Sequence, residues 1–509
     1  MRVRVVARDV TKVRADALVV NLFQGVKRPE GATGAVDRAL DGAISKLIAD
    51  GEIKGEKGEL TLIHVFGQIQ ASRVAVLGLG PRRRFEVEAV RWSMAEAARS
   101  LRRIGAKRIA TVLHGAGAGG LDPGLAARAI TEGALLGLYV YKKQARKADT
   151  PAEVQELTIV EARRSVLSEV RQGVTLGQVM AESTHLARDM SNTPANLMTP
   201  SDMAEAARKV ASETGLELTV LERDEMERLG MGALLGVAKG TAQPPKFIIL
   251  KYQGDGENPD QTLGLVGKGV TFDTGGISLK PAAGMAAMKT DMSGGAAVIA
   301  AMRAIGLLKP RINVTGLVPT VENMPSSTAQ KPGDVVTALN GKTIEVENTD
   351  AEGRLLLADA LSYGRKIGLS PMIDVATLTG AITVSLGKVC TGAFTNHQPT
   401  LNRLMRAADV TGEKLWQLPI HDEYREQNRS DVADVKNTGG RNAGSITAAL
   451  FLAEFSETTP WVHLDIAGTA RMDSTKGYQV KGSSGAAVRT LVQFVLDSAH
   501  RRRPRPTTG

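Results

Sequence analysis

The feature that most constrains this chain is a sustained exchange of short apolar or β-branched runs with segments of helical periodicity. Strand-like runs stand at 2–6, 17–22, 60–65, 74–79, 108–113 and 156–160, with helices predicted over 35–49, 87–104 and 125–139. Beyond Pro200 the runs become more apolar, at 247–252, 262–266, 314–319, 372–378 and 461–466. Apolar strands separated by helices predict a mainly parallel sheet covered on both faces. Asn340-Gly341, between 335–339 and 343–347, adds a hairpin.

At 509 residues the pattern exceeds one core, because single cores stop growing near about 250 to 300 residues. The expected architecture is α/β in two domains: a smaller N-terminal α/β domain over 1–170 and a larger C-terminal domain over 171–500, its mainly parallel sheet covered by helices. A basic tail, 501–509, follows. The passage between domains is a helix over 166–190 that ends at Ser191-Asn-Thr-Pro194.

Composition excludes several classes. No stretch approaches the roughly 18 uninterrupted apolar residues of a membrane span; the longest, 294–308, is broken by Arg303. The N-terminus lacks an apolar leader region, so no membrane partner and a cytoplasmic location are expected. One cysteine, Cys390, rules out an intramolecular disulfide and reads as a buried structural thiol. The net charge of +10 is concentrated in residues 1–170, which hold 28 Lys+Arg against 19 Asp+Glu. Clusters at Arg82–Arg84, at Arg102, Arg103, Lys107 and Arg108, and at Lys142, Lys143, Arg146 and Lys147 make DNA a partner to weigh. Solvated helix faces, with Arg102 and Arg103 paired to Glu96, are the plainer reading.

Some motifs fail. Gly115, Gly117 and Gly120 match the G-x-G-x-x-G of dinucleotide sites, but the match lies several strands into its domain, and Pro123 follows with no acidic residue at the usual interval. It reads as a glycine-rich turn. Gly341-Lys342-Thr343 lacks the earlier glycine of a phosphate loop, and neither H-E-x-x-H nor G-x-S-x-G occurs.

Three segments of the larger domain concentrate charge where apolar strands give way to loops. They are Gly267-Lys268-Gly-Val-Thr-Phe-Asp273-Thr-Gly-Gly with Lys280, then Met288-Lys-Thr-Asp291-Met-Ser293-Gly, then Glu347-Asn-Thr-Asp350-Ala-Glu352-Gly-Arg354. Loops at the carboxyl ends of parallel strands form the binding crevice of such sheets. Read alone, Asp291 or Ser293 caps the helix that follows, and the acids before 355–367 sit at an ordinary helix start. Together, three aspartates and a glutamate among glycines and lysines point to a carboxylate-rich metallohydrolase.

Asn348-Thr-Asp-Ala-Glu-Gly-Arg354-Leu resembles the signature of the leucyl aminopeptidase family, bacterial cytosol aminopeptidases included. The segments at 267–276 and 288–294, and His463-Leu-Asp-Ile-Ala-Gly-Thr-Ala470, are similar to its other motifs. The resemblance covers roughly residues 180 to 495 well and the N-terminal domain in outline. It implies a dinuclear metallo-aminopeptidase that removes N-terminal residues, leucine and other apolar ones first, by attack of a metal-bridging hydroxide. Lys268, Asp273, Asp291 and Glu352 would hold one divalent ion and Asp273, Asp350 and Glu352 the other, as manganese, zinc or magnesium. Lys280 would donate to the tetrahedral oxygen, and Arg354 would bind bicarbonate with help from the backbone of Ala351, Gly353 and Leu378. Met288, Asn348, Thr377, Gly380 and Ala467 would form the substrate pocket, and a homohexamer would be the assembly. The alternatives are a peptidase that also binds DNA and a dipeptidase acting on Cys-Gly.

Overall fold

In the computed structural model, residues 1–142 and 152–501 are described. Lys143, Arg146 and Lys147 of the third basic cluster, and all of the 501–509 tail after its first residue, lie outside them. The chain forms two compact units, one of Met1–Glu182 with Ser474–Val480, the other of Ser183–Asp473 with Lys481–Gly509. The helix Leu167–Asn192 carries the chain from one to the other, so residue 170 falls in its first turn.

The first unit is built on six strands in the order Arg2–Val6, Glu156–Val160, Arg108–Val112, Ala17–Leu22, Arg73–Gly78, Leu60–His64. All neighbours are parallel except the last pair. Inner strands are mainly apolar, Leu18, Val19 and Val20 being fully buried, as a sheet covered on both faces requires. The helix predicted over 35–49 is two helices, Gly31–Ala39 and Ala43–Ala49. Asp41 and Gly42 between them both take positive φ, which a continuing right-handed helix cannot accommodate.

The second unit holds a larger mixed sheet in the order Leu415–Gln417, Thr391–Thr395, Trp461–Asp465, Leu369–Ala376, Thr262–Gly267, Asn313–Asn323, Lys246–Gln253, Glu217–Leu221. Its centre is parallel, while Lys246–Gln253, Glu217–Leu221 and the Thr391–Thr395 pairing are antiparallel. Gly269–Asp273 pairs beside Asn313–Asn323 after a single-residue break at Lys268. The predicted hairpin forms from Asp334–Thr337 and Thr343–Val346. The helical stretch Met285–Leu308 is apolar and long enough to cross a membrane, but 83% of its most apolar window is buried in this unit, as a core helix would be. Cys390 is half-buried rather than buried, in the turn before Thr391–Thr395.

One buried acid ties this core together. Asp359, inside the helix Gly353–Lys366, is fully buried and accepts from Leu234 N–H and Leu339 N–H, both at 2.8 Å. Burial pushes its carboxyl up to about 7 against those hydrogen bonds. Asp359→Ala strands two buried donors, so unfolding of this unit is expected to ease by roughly 2 to 5 kcal/mol. Denaturant unfolding reads the change, and an unaltered midpoint would show that water replaces the carboxylate.

Candidate active site

The cleft gathers at the carboxyl ends of the parallel strands. Lys268 follows Thr262–Gly267, Asp273 ends Gly269–Asp273, and Thr377 to Gly380 follow Leu369–Ala376. Asp291 precedes the helix Ser293–Leu308, and Glu352 stands at the start of Gly353–Lys366. Neither acid caps its helix: no side-chain capping bond is made at either start, and Ser293 Oγ donates back to Thr290 O. These carboxylates are therefore free for other chemistry.

They converge on two lysines. Lys268 Nζ lies 2.8 Å from Asp291 Oδ2 and 2.8 Å from Glu352 Oε1, and donates to Thr377 O at 2.9 Å. Lys280 Nζ pairs with Asp273 Oδ2 at 2.7 Å and with Asp350 Oδ1. Asp273, Asp350 and Glu352 each offer an oxygen within 4.8 Å of the others. Lys268, Asp273, Asp291 and Glu352 are almost wholly buried. Glycine makes the approach possible: a Cβ on Gly353 would stand 2.5 Å from Lys268 Cε.

Four carboxylates face two ammonium groups, so the cluster carries uncompensated negative charge in a poorly solvated place. Burial favours a neutral Lys268, yet Asp291, Glu352 and Asp273 more than offset it and hold the ammonium above its ordinary range. Lys280 is raised in the same way, Asp273 leading against burial. Burial raises Asp291 and Glu352, and Asp273 pushes both further, against the pull of Lys268. Glu352 Oε2 is buried and has no hydrogen bond among the described residues. An orphaned carboxylate oxygen among acids is the feature a cation would satisfy.

Lys268, Asp273, Lys280, Asp291, Asp350 and Glu352 line one cavity of about 480 Å³ with Met288, Thr377, Leu378, Gly380 and Ala467. Asn348, Ala351, Gly353 and Arg354 are not on its wall. Arg354 is buried, donates through Nη1 to Asn437 O at 2.5 Å, and leaves Nε unpartnered. Burial lowers its guanidinium to about 10, opposed by Glu352 and Asp465. Asn348 turns its Oδ1 to Asp350 N–H at 2.8 Å, which fixes the loop. The N–H of Ala351 donates to Asn348 O and that of Leu378 to Asp465 Oδ1.

Sequence reasoning missed the braces. Asn323 Nδ2 donates to Asp273 Oδ1 and Thr349 O, at 2.8 and 3.0 Å. Asn437 receives the N–H groups of Glu347 and Asn348 and donates to Asn348 O. Asp465, inside the fourth motif, accepts from Leu378 N–H, Ala467 N–H and Thr379 Oγ1 and so pins one wall of the cleft.

The basic clusters of the first unit are arranged otherwise. Arg99, not Arg102 or Arg103, pairs with Glu96, because Arg102 Nη1 reaches Leu138 O and Arg103 reaches Ser100 Oγ. Arg108 is taken by Asp16.

The fold and cleft together define a two-domain α/β protein with a buried carboxylate and lysine centre at the ends of its parallel strands. The chain belongs to the cytosol aminopeptidase family, whose catalytic domain matches residues 185–492 and whose N-terminal domain matches 19–147. It is 48% identical to the "Probable cytosol aminopeptidase" of Solibacter usitatus, over 98% of this chain and 99% of that one. That of Alkaliphilus oremlandii is 44% identical, over 97% and 99%. Among solved structures, a mutant of tomato leucine aminopeptidase superposes with a TM-score of 0.87 at 34% identity, covering 97% of this chain and 96% of that one. The bottromycin maturation enzyme BotP in complex with Mn gives 0.83 at 34%, covering 95% and 100%. Aminopeptidase activity is the function this membership supports.

Proposed function

We propose that the chain is a dinuclear metallo-aminopeptidase that removes N-terminal residues from peptides, leucine and other apolar ones first. The observation that carries this reading is the unpartnered, buried Glu352 Oε2 among four converging carboxylates. Lys268, Asp273, Asp291 and Glu352 would hold one cation, and Asp273, Asp350 and Glu352 a second. Two divalent ions there, manganese, zinc or magnesium, would supply Lewis acidity and activate water, and a bicarbonate held by Arg354 would supply a base. The Arg354 Nε donor left without a partner supports that last assignment.

The chain's own groups do the rest. Lys280 carries its ammonium at the edge of the acidic cluster, where it donates to the scissile carbonyl oxygen as that atom gains charge. Met288, Thr377, Gly380 and Ala467 bound the space for the leaving residue's side chain, and nothing stands within 4 Å of where a Gly380 Cβ would be. A small-walled, partly apolar pocket favours leucine over charged residues. The acidic cluster favours a free, protonated α-amino group. A homohexamer in the cytoplasm accords with the resemblance.

The test compares leucine amide with N-acetyl-leucine amide after reloading the chelated protein with Mn²⁺ or Zn²⁺. Cleavage of the free amide alone, dependent on metal, is expected. Equal rates on both substrates would reject the aminopeptidase assignment for this cleft.

A further inference from the structure

A second cavity, of about 1020 Å³, lies wholly within the first unit. It opens at the carboxyl ends of Arg2–Val6, Ala17–Leu22, Arg108–Val112 and Glu156–Val160. After Ala17–Leu22 the chain passes to Leu60–His64 and then Arg73–Gly78 on one side; after Arg108–Val112 it crosses to Glu156–Val160 on the other. The two strands are neighbours, so the crevice between them is the switch point at which open parallel sheets bind ligands.

Its polar wall is built from unsatisfied donors. The helix Gly31–Ala39 begins at the cavity, and Glu30 gives it no side-chain cap. Its first bonded amide is Gly34 N–H, to Glu30 O, which leaves those of Gly31, Ala32 and Thr33 without a partner among the described residues. The glycine-rich turn faces them. Gly115 and Gly120 take positive φ, and Gly119 packs so close to Gly115 O that a Cβ would stand at 2.6 Å. The N–H groups of Gly117 and Ala118 make no hydrogen bond among the described residues. Arg8, Arg28 and Arg82 line the same space, and none forms an ion pair among the described residues. Asp9 is held by Thr11 N–H, and Glu161 by Arg163 at 2.9 Å, so two of the three lining acids are occupied. Leu22, Phe23, Val26, Val112 and Leu113 supply an apolar wall.

We propose that this crevice binds a phosphorylated nucleoside. The diphosphate would lie on the amides of Gly31 to Thr33 and of Gly117 and Ala118, with Arg8, Arg28 and Arg82 around it. The base would rest on the apolar wall. Residues 115–120, unremarkable as a dinucleotide motif, thus act as an anion-binding turn without that fold's acidic residue. The proposal is independent of the aminopeptidase reading, because the site shares no residue with the metal cleft.

Equilibrium dialysis of labelled ADP against the full chain tests it, with EDTA present so that no metal bridges ADP to the other cleft. Gly117→Asp puts a carboxylate into open space on the turn, and Arg28→Glu with Arg82→Glu reverses exposed charge without touching the core. Saturable binding with Kd below about 1 mM is expected, weakened about tenfold or more in both variants, while leucine amide hydrolysis and the circular dichroism melt stay unchanged. Adenosine and inorganic pyrophosphate should each bind about tenfold more weakly than ADP. Absence of binding at about 1 mM, or ADP binding undiminished in both variants, would overturn the site. Pyrophosphate binding as tightly as ADP would overturn the nucleoside and leave a phosphate seat.

Discussion

Replacing Glu352 with alanine is expected to remove bound metal and activity together. Its carboxylate is the most buried of the cluster, shares Lys268 with Asp291, and stands within reach of both Asp273 and Asp350. In the proposed arrangement it serves both cations, so its loss disables both positions. Several kcal/mol of transition-state stabilisation disappear, a fall of about 10³-fold or more. The same substitution has the opposite sign on the metal-free protein. There Glu352 is one of three buried acids around Lys268, which keeps Asp291 as a partner, and removing it relieves repulsion from Asp273 and Asp291. Chelated Glu352→Ala should therefore melt no lower than the chelated parent, and the parent alone should gain stability when metal is restored. That gain is about 2.7 kcal/mol at a free metal concentration 100 times Kd. Metal content by elemental analysis, read beside the two melts, decides the matter. A variant that keeps its metal and loses only turnover would shift Glu352 from holding cations to some other role.

How far the sequence showed this depends on the range of the interactions concerned. The central strands were legible because a strand buried on both faces is mostly apolar along its length, as 263–266 is. Lys268 and Asp273 were legible because loops at the carboxyl ends of parallel strands line the crevice, and Asp291, Asp350 and Glu352 joined them as acids in glycine-rich loops that match the family's motifs. The antiparallel flank was not. The 247–250 core of Lys246–Gln253 is as apolar as its parallel neighbours, and direction leaves no local mark on such a run. Asn323 and Asn437 were missed for a related reason. Each braces a loop 26 to 90 residues away in sequence, and an asparagine that supports a carboxylate looks in sequence like any other. The split of the first long helix was written in Asp41-Gly42, but a single glycine is common enough within helices that apolar periodicity outweighed it. The turn at 115–120 shows the reverse case. Its motif was incomplete as a fingerprint, and only the switch point and the uncapped helix opposite give those glycines a common purpose.

Lys280 separates metal binding from charge stabilisation. Its Nζ touches Asp273 and Asp350 but neither Asp291 nor Glu352, and its side chain keeps 20% of its exposure where Lys268 keeps 4%. In the metal-free cleft Asp273 above all holds it protonated against burial, and an ammonium can donate but cannot act as a base. Lys280→Ala takes no ligand away. It also frees Asp273 and Asp350 from a competing cation, so metal affinity should stay level or rise. What is lost is one donor aimed at the oxygen that becomes negative, worth about 2.7 to 4 kcal/mol, or roughly 10²–10³ in kcat. Because that bond strengthens only as charge develops, KM for leucine amide should change far less than kcat. Lys280→Met, which keeps the length and removes the charge, should fall as far as the alanine variant. The decisive measurement is turnover and metal content on the same sample. Normal kcat would take Lys280 out of the chemistry, whereas a fall in kcat that tracks a fall in bound metal would make it part of the cation site.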